Sequence, residues 1–417
     1  MTAPAAGGRG GTGLFIALAG LFFGVNTAEL LFLPTAARAA GLGSLGVGIV
    51  IAAFTGVGVL TDLPGGELAN RRGVPTTMLA GCALTVGGAA FFVPGPRVWS
   101  VLAGALVLGA GTSFLMNPIL GGLSSLAGDR QLTWQLANVC VQRAGGLVAI
   151  IALTTGGEAG PVGPGAWATV AGSAAIAVIA ITLALRSARP AGPDSGPPVP
   201  PVPLGRLLGS AVAVVRDSRE AASGVALELV IPAMLVFGFS FLPQLRAGVR
   251  GPLPAGTMLI TREAAGLAVV TLAVLLLRPL RLARVVCVTL AAGAVTMPLL
   301  TYSSSPAARL LAMGASGAVI TVGILASNVH VYRGTTAATR MYGFALSGIA
   351  SRISGIVFSV LYGWAASTSA RALVWAGCGT VVLAGALYAG LQAGRGERAP
   401  VPGSSPRGAG PATQPPT

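Results

Sequence analysis

The sequence predicts an all-α integral membrane protein, with twelve transmembrane helices in two pseudo-symmetric six-helix bundles. Three observations lead there. Hydrophobic residues make up 53% of the 417-residue chain and charged residues only 9%, whereas a soluble domain carries about 25% charged residues. The apolar residues gather into runs of about 20, the length that crosses a hydrocarbon core. Glycine is abundant, at 62 residues, as expected where helices pack closely in lipid.

Cutting the chain at charges, prolines and polar clusters gives the twelve spans. Span 1 covers 13–34. Arg9 and the small residues at 35–40 give it the look of a signal peptide, but its apolar run reaches spanning length. Span 2 (44–66) ends at a basic stretch, span 3 (75–94) at Pro94, and span 4 (98–120) before Asp129 and Arg130. Spans 5 (131–155) and 6 (164–186) end at Glu158 and Arg186. In the second half, spans 7 (223–245), 8 (254–277) and 9 (283–302) end at Arg246, Arg278 and a serine cluster. Spans 10 (307–332), 11 (339–365) and 12 (370–392) end at Arg333, Ser367 and Arg395.

The expected organisation is a bundle over 1–186, a linker over 187–222, a second bundle over 223–393 and a disordered cytoplasmic tail over 394–417. The linker holds Gly-Pro-Pro-Val-Pro-Pro-Val-Pro, which cannot be helical. Residues 204–220 after it fit a short helix on the membrane surface. With the N-terminus inside, one face carries 17 arginines and the other 6. That asymmetry puts both termini and the linker in the cytoplasm and the protein in the cytoplasmic membrane.

Other classes are excluded. The net charge of +15 is spread between apolar runs and builds no basic domain for nucleic acid. Cys82, Cys140, Cys287 and Cys378 have no metal spacing, and His330 is the single histidine, so no metal and no cofactor are expected. No phosphate loop and no catalytic constellation occurs, so an enzyme is not expected.

The chain repeats at an offset of 209 residues. Phe32-Leu33-Pro34 matches Phe241-Leu242-Pro243, Arg72 matches Arg281, and Arg143-Ala144-Gly145-Gly146 matches Arg352-Ile353-Ser354-Gly355. Two parallel bundles related by an axis along the membrane normal follow, with a site between them.

The stretch Gly66-Glu67-Leu68-Ala69-Asn70-Arg71-Arg72-Gly73-Val74-Pro75 reads as a tight basic turn after span 2. It resembles the Gly-x-Leu-x-Asp-Arg-x-Gly-Arg-Arg loop of the major facilitator superfamily, matching at Gly66, Leu68, Arg71 and Gly73. The family's acid is Asn70 here, and its final basic pair is Val74-Pro75. The resemblance extends to the twelve spans and the central loop. It implies secondary transport by alternating access, with Gly66, Asn70, Arg71, Arg72 and Gly73 as a gating motif.

Charges inside spans are costly and face a cavity or a partner. Arg143 lies about 12 residues into span 5, roughly 18 Å at 1.5 Å per residue and so near the membrane centre, and Arg352 takes the same place in span 11. They are candidates to bind a polar or anionic substrate, or to be neutralised within their own halves. Glu29, with Asn26 one turn before it, is a candidate proton-coupling acid, or a static partner for Arg143. Family drug/proton antiporters resemble this in placing an acid in the first span. Asp62 is a second coupling candidate or a structural partner. Arg262 and Glu263 are adjacent, so their side chains start about 100° apart and are not expected simply to neutralise each other. Glu228 is expected to snorkel to the interface, and His330 to be structural. Asn26, Asn138, Gln142, Arg143, Arg352 and Glu263 form the expected substrate cavity; Asn117, Gln135 and Asn328 are further polar candidates.

Proton-coupled efflux of a drug or secondary metabolite is the leading expectation, although the antiporter-associated Gly-Pro-x-x-Gly-Gly is absent. Uptake of a small anionic or polar nutrient is the alternative, and a transporter-like sensor a third. The expected partners are a small-molecule substrate, protons and the lipid bilayer, with the chain a monomer.

Overall fold

The structure, a computed structural model, describes residues 9–126, 131–154, 162–187, 204–228, 230–247, 253–276, 282–336 and 340–393. Among them are sixteen helices and no strand. The first half contains α1 (Arg9–Ala39), α2 (Ser44–Arg72), α3 (Val74–Ala90), α4 (Val98–Leu126), α5 (Gln131–Thr154) and α6 (Val162–Ser187). Then come α7 (Leu204–Asp217), α8 (Arg219–Leu227), α9 (Ile231–Ser240) and α10 (Leu242–Ala247). The remainder is α11 (Ala255–Leu276), α12 (Leu282–Thr296), α13 (Leu299–Tyr302), α14 (Pro306–Arg333), α15 (Arg340–Thr368) and α16 (Ala370–Ala393). Among the described residues eleven stretches are long and apolar enough to cross a membrane, and α3 is a shorter apolar helix. The outer faces suit lipid: Leu60, Trp167 and Val295 are each more than 70% exposed. This is a multi-pass membrane protein with a twelve-span, two-bundle architecture.

Sixteen helices arise from twelve spans because three prolines break the ladder and the linker adds α7. Span 7 is expected as one helix but is three. Pro232 has no N–H and would clash with the carbonyl of Glu228, so α8 stops there and α9 starts anew. Pro243 separates α9 from α10 in the same way. Pro298 splits span 9 into α12 and α13, and the carbonyl of Ala294, four residues before it, accepts from Cys378 Sγ at 3.6 Å. Pro34, Pro64 and Pro118 instead sit inside continuous helices.

The expected turn at 66–75 is also corrected. α2 continues through it to Arg72, and α3 begins at Val74. The whole turn is Gly73, at φ +87°, a conformation that favours glycine. Pro75 sits in the first turn of α3, where its missing N–H costs no helical bond. The motif is therefore mostly helix end. The side chains of Asn70, Arg71 and Asn117 lie outside the described residues, as do 188–203 of the linker and the tail 394–417.

Two long helix pairs join the halves: α2 against α15, and α5 against α11. They are equivalent under the 209-residue repeat. At one end, called here the Arg38 end, the halves are in close contact. Arg38 Nη2 donates to Ser240 O at 2.6 Å, the carbonyl left open where α9 stops, and to Gln244 Oε1 at 3.0 Å. Gln244 Nε2 donates to Ser44 Oγ at 3.1 Å. Near the same end, a Cβ added at Gly48 would lie 2.3 Å from Ser359 O. Arg38→Ala should loosen this end, because hydrogen bonds to a charged group contribute about 1.5–3 kcal/mol. Hydrogen exchange should then speed up in α9 and α10; unchanged exchange would count against the clamp.

Candidate functional site

A narrow cavity of about 30 Å³ lies where α1, α5, α9, α11 and α14 meet. One face of α1 supplies Phe23, Asn26, Thr27 and Leu30, spaced at helical intervals. From α5 come Gln142, Arg143 and Gly146, and from α11 comes Glu263. Of the six expected cavity residues, Asn26, Gln142, Arg143 and Glu263 line this space. Asn138 is buried one turn from Gln142 and is not in its lining; nor is Arg352. The apolar wall, including Phe239 of α9, was not anticipated, since apolar residues carry no distinguishing pattern in so apolar a chain.

Glu263 is held from two sides. Arg143 Nη1 donates to its Oε2 at 2.9 Å across the interface between halves. Arg262 donates to its Oε1 from Nε at 3.0 Å and from Nη2 at 2.7 Å. The expectation that these adjacent residues would not simply pair is overturned: the long arginine side chain curls back to its neighbour, which a rigid 100° offset ignores. The Arg262 guanidinium also lies 3.7 Å from the centre of the Phe239 ring. All three charged groups are buried. Arg143 Nε, Arg262 Nη1 and Gln142 Oε1 are buried without a hydrogen-bond partner among the described residues.

Arg352 makes the second cross-half pair. Its Nε and Nη2 lie 3.3 and 3.5 Å from the Asp62 oxygens, and Nη2 donates to Ser113 Oγ at 3.1 Å. Neither arginine is neutralised within its own half, as one alternative held. Both repeat-related arginines reach into the opposite bundle, because α5 and α15 each pack on a helix of the other half. At Gly66 and Gly348, one turn further along these helices, an added Cβ would meet no described atom within 4 Å.

Glu29 does not pair with Arg143. It is fully buried on the other side of α1, facing α4, where Thr112 Oγ1 lies 3.0 Å from its Oε2. Its Oε1 has no partner among the described residues. The adjacent hydroxyls Thr112 and Ser113 in an otherwise apolar run were the missed signal. Glu228 does not snorkel; at the end of α8 it accepts from Ser327 Oγ at 2.8 Å. His330 ties α14 to Glu220 of α8 and, at 2.8 Å, to Tyr388 Oη of α16.

No protein-family model matches the chain, and no curated protein sequence matches it. Solved structures do resemble it. A variant of the nucleoside transporter NupG superposes with a TM-score of 0.71 at 14% identity, over 91% of this chain and 99% of that one. The human organic anion transporter MFSD10 gives 0.65 at 14% identity, over 90% and 98%. A variant of the E. coli fucose:proton symporter FucP gives 0.64 at 13% identity, over 91% and 98%. FucP is a major facilitator superfamily transporter. The chain has the twelve-helix fold of that superfamily.

Proposed function

We propose that this chain is a secondary active transporter that exports a small organic molecule across the cytoplasmic membrane by alternating access, driven by protons. The observation that carries the coupling is the setting of Glu29. Thr112 Oγ1 lies 3.0 Å from both Glu29 Oε2 and Leu108 O, yet a hydroxyl has one hydrogen to donate. Both contacts are satisfied when Glu29 carries a proton and donates it to Thr112, which donates to Leu108. Oε1 stays unpartnered among the described residues in either state, and burying it so costs far more for a charged carboxylate than for a neutral acid. Glu29 therefore binds and releases a proton as its surroundings change, one helix face away from the cavity. Asp62, held by Arg352, is the second group in reach of such an exchange.

The cavity at the joint between halves serves as the substrate site, and the closed Arg38 end is the outer gate, an orientation supported by the arginine asymmetry. The solved relatives by fold, which carry nucleosides, fucose with protons, and organic anions, are in keeping with a small-molecule cargo. Uptake of a small anionic or polar nutrient is the second reading, favoured by the cluster at the cavity wall, in which Arg143 and Arg262 share the one carboxylate of Glu263.

Comparing the small molecules inside and outside cells with and without the protein identifies the cargo and its direction. An exporter lowers internal levels, and collapsing the proton gradient removes the effect. Glu29→Gln should keep the fold, since an amide can pair with Thr112, and should cut gradient-driven transport. Linked sites typically couple by about 1–3 kcal/mol, or about 5–150-fold. Full gradient dependence in Glu29→Gln would refute the assignment.

A further inference from the structure

We propose that the cavity selects an organic monoanion, whose carboxylate or equivalent oxyanion binds Arg143 while Arg262 retains Glu263. The inference rests on the reading of this cavity as the substrate site and adds the charge of the substrate. It starts from the charge count. Arg143 and Arg262 share a single carboxylate, Glu263, so the cluster holds one uncompensated positive charge. All three side chains are buried; Arg143 and Glu263 are the charged residues that line the cavity among those described, and Arg262 sits behind Glu263. A buried cation without a counter-charge is strongly disfavoured within a membrane. One bound negative charge neutralises the site; a dianion overshoots it and a cation worsens it.

The hydrogen bonds show how the charge is received. Glu263 presents Oε1 to Arg262 and Oε2 to Arg143, so each arginine occupies its own oxygen. Arg262 already gives Glu263 two hydrogen bonds, so that carboxylate stays compensated if Arg143 turns to a ligand. Arg143 is the freer of the two, with its Nε unpartnered beside the cavity. A guanidinium with open N–H groups is built to grip a planar oxyanion through two parallel bonds. Glu263 is thus a resident stand-in for the ligand's own carboxylate. At about 30 Å³ the cavity is too tight for an organic body until the halves part; the walls that then open on it, Phe23, Leu30 and Phe239, are apolar and suit an apolar or aromatic body rather than a bare inorganic ion. Gln142, whose Oε1 is unpartnered, supplies a polar contact for a hydroxyl or amide on that body.

The test uses the purified full chain in lipid nanodiscs and radiolabelled benzoate, with benzamide, benzylamine and chloride as competitors. Benzoate should bind, and only other monocarboxylates should displace it. Arg143→Gln should weaken binding about 30-fold or more, as truncation of a buried charged contact does. Arg143→Lys, which keeps the charge, should retain part of it and controls for folding. Glu263→Gln removes the internal competitor and should tighten benzoate binding. Absence of benzoate binding, equal displacement by benzamide, or unchanged binding in Arg143→Gln would overturn the proposal. Full displacement by chloride would show a small inorganic anion site and overturn the organic class. Flux in proteoliposomes separates this inference from the transport reading. Benzoate binding with no gradient-driven flux of any monocarboxylate removes transport and leaves the anion site standing. Proton-driven flux of neutral or cationic compounds without benzoate binding does the reverse.

Discussion

Glu263→Ala should cost the folded protein about 3–5 kcal/mol, the penalty for removing one partner of a buried ion pair. Arg143 and Arg262 would then face each other, both buried, with the carboxylate that bridges them gone. The loss falls at the joint between α5 and α11, so the variant should unfold earlier in denaturant and expose that interface first. Replacing the cluster together, as Arg143→Leu, Arg262→Met and Glu263→Leu, should recover most of that stability, because a well-packed apolar set of similar volume carries no desolvation cost. The triple variant should fold and transport nothing. Reversible unfolding in mixed detergent micelles measures the first claim. A single variant as stable as the parent would show that the cluster is solvated and not a buried charge site.

Gly48→Leu should abolish transport while sparing the fold. A Cβ at Gly48 would already lie 2.3 Å from Ser359 O and 3.2 Å from Gly363 Cα, both backbone atoms of α15 that cannot turn aside. The two halves must then separate at the Arg38 end, and the closed conformation is lost. Gly145→Leu is the informative contrast. Its Cβ would lie 2.2 Å from Gly20 O, but that contact joins α1 and α5 within one half. Closely approaching helices held by small residues are the stabilising element of a bundle in lipid. Gly145→Leu should therefore reduce the amount of folded protein, whereas Gly48→Leu should leave it near normal. Expression, monodispersity and transport measured side by side distinguish the two.

How legible these features were depended on what kind of contact each one is. The spans stood out because hydrocarbon thickness imposes a run length on the chain. Arg143 and Arg352 stood out because an arginine in an apolar run needs an explanation, and the repeat paired them. Their partners did not, since Arg143 meets Glu263 and Arg352 meets Asp62 only once the halves are docked. Glu29 was visible as a buried acid, but its neighbour was misassigned. α1 packs against both α4 and α5, and its rotation, which turns Glu29 toward Thr112, cannot be found when all its faces are apolar. The prolines mark a similar limit. Pro34 and Pro243 occupy equivalent places in the repeat, yet α1 runs through one and the chain breaks at the other.

Alternating access requires the two ends of the molecule to open in opposition, and this is directly measurable. Spin labels at Val98 and Ala307, both exposed, span the halves at the Arg38 end, and labels at Arg72 and Arg333 span them at the other. Distances across each pair should be compared between the parent and Gly48→Leu in nanodiscs. The expected result is a longer distance between Val98 and Ala307 together with a shorter one between Arg72 and Arg333. Both pairs lengthening, or neither changing, would contradict an alternating-access transporter.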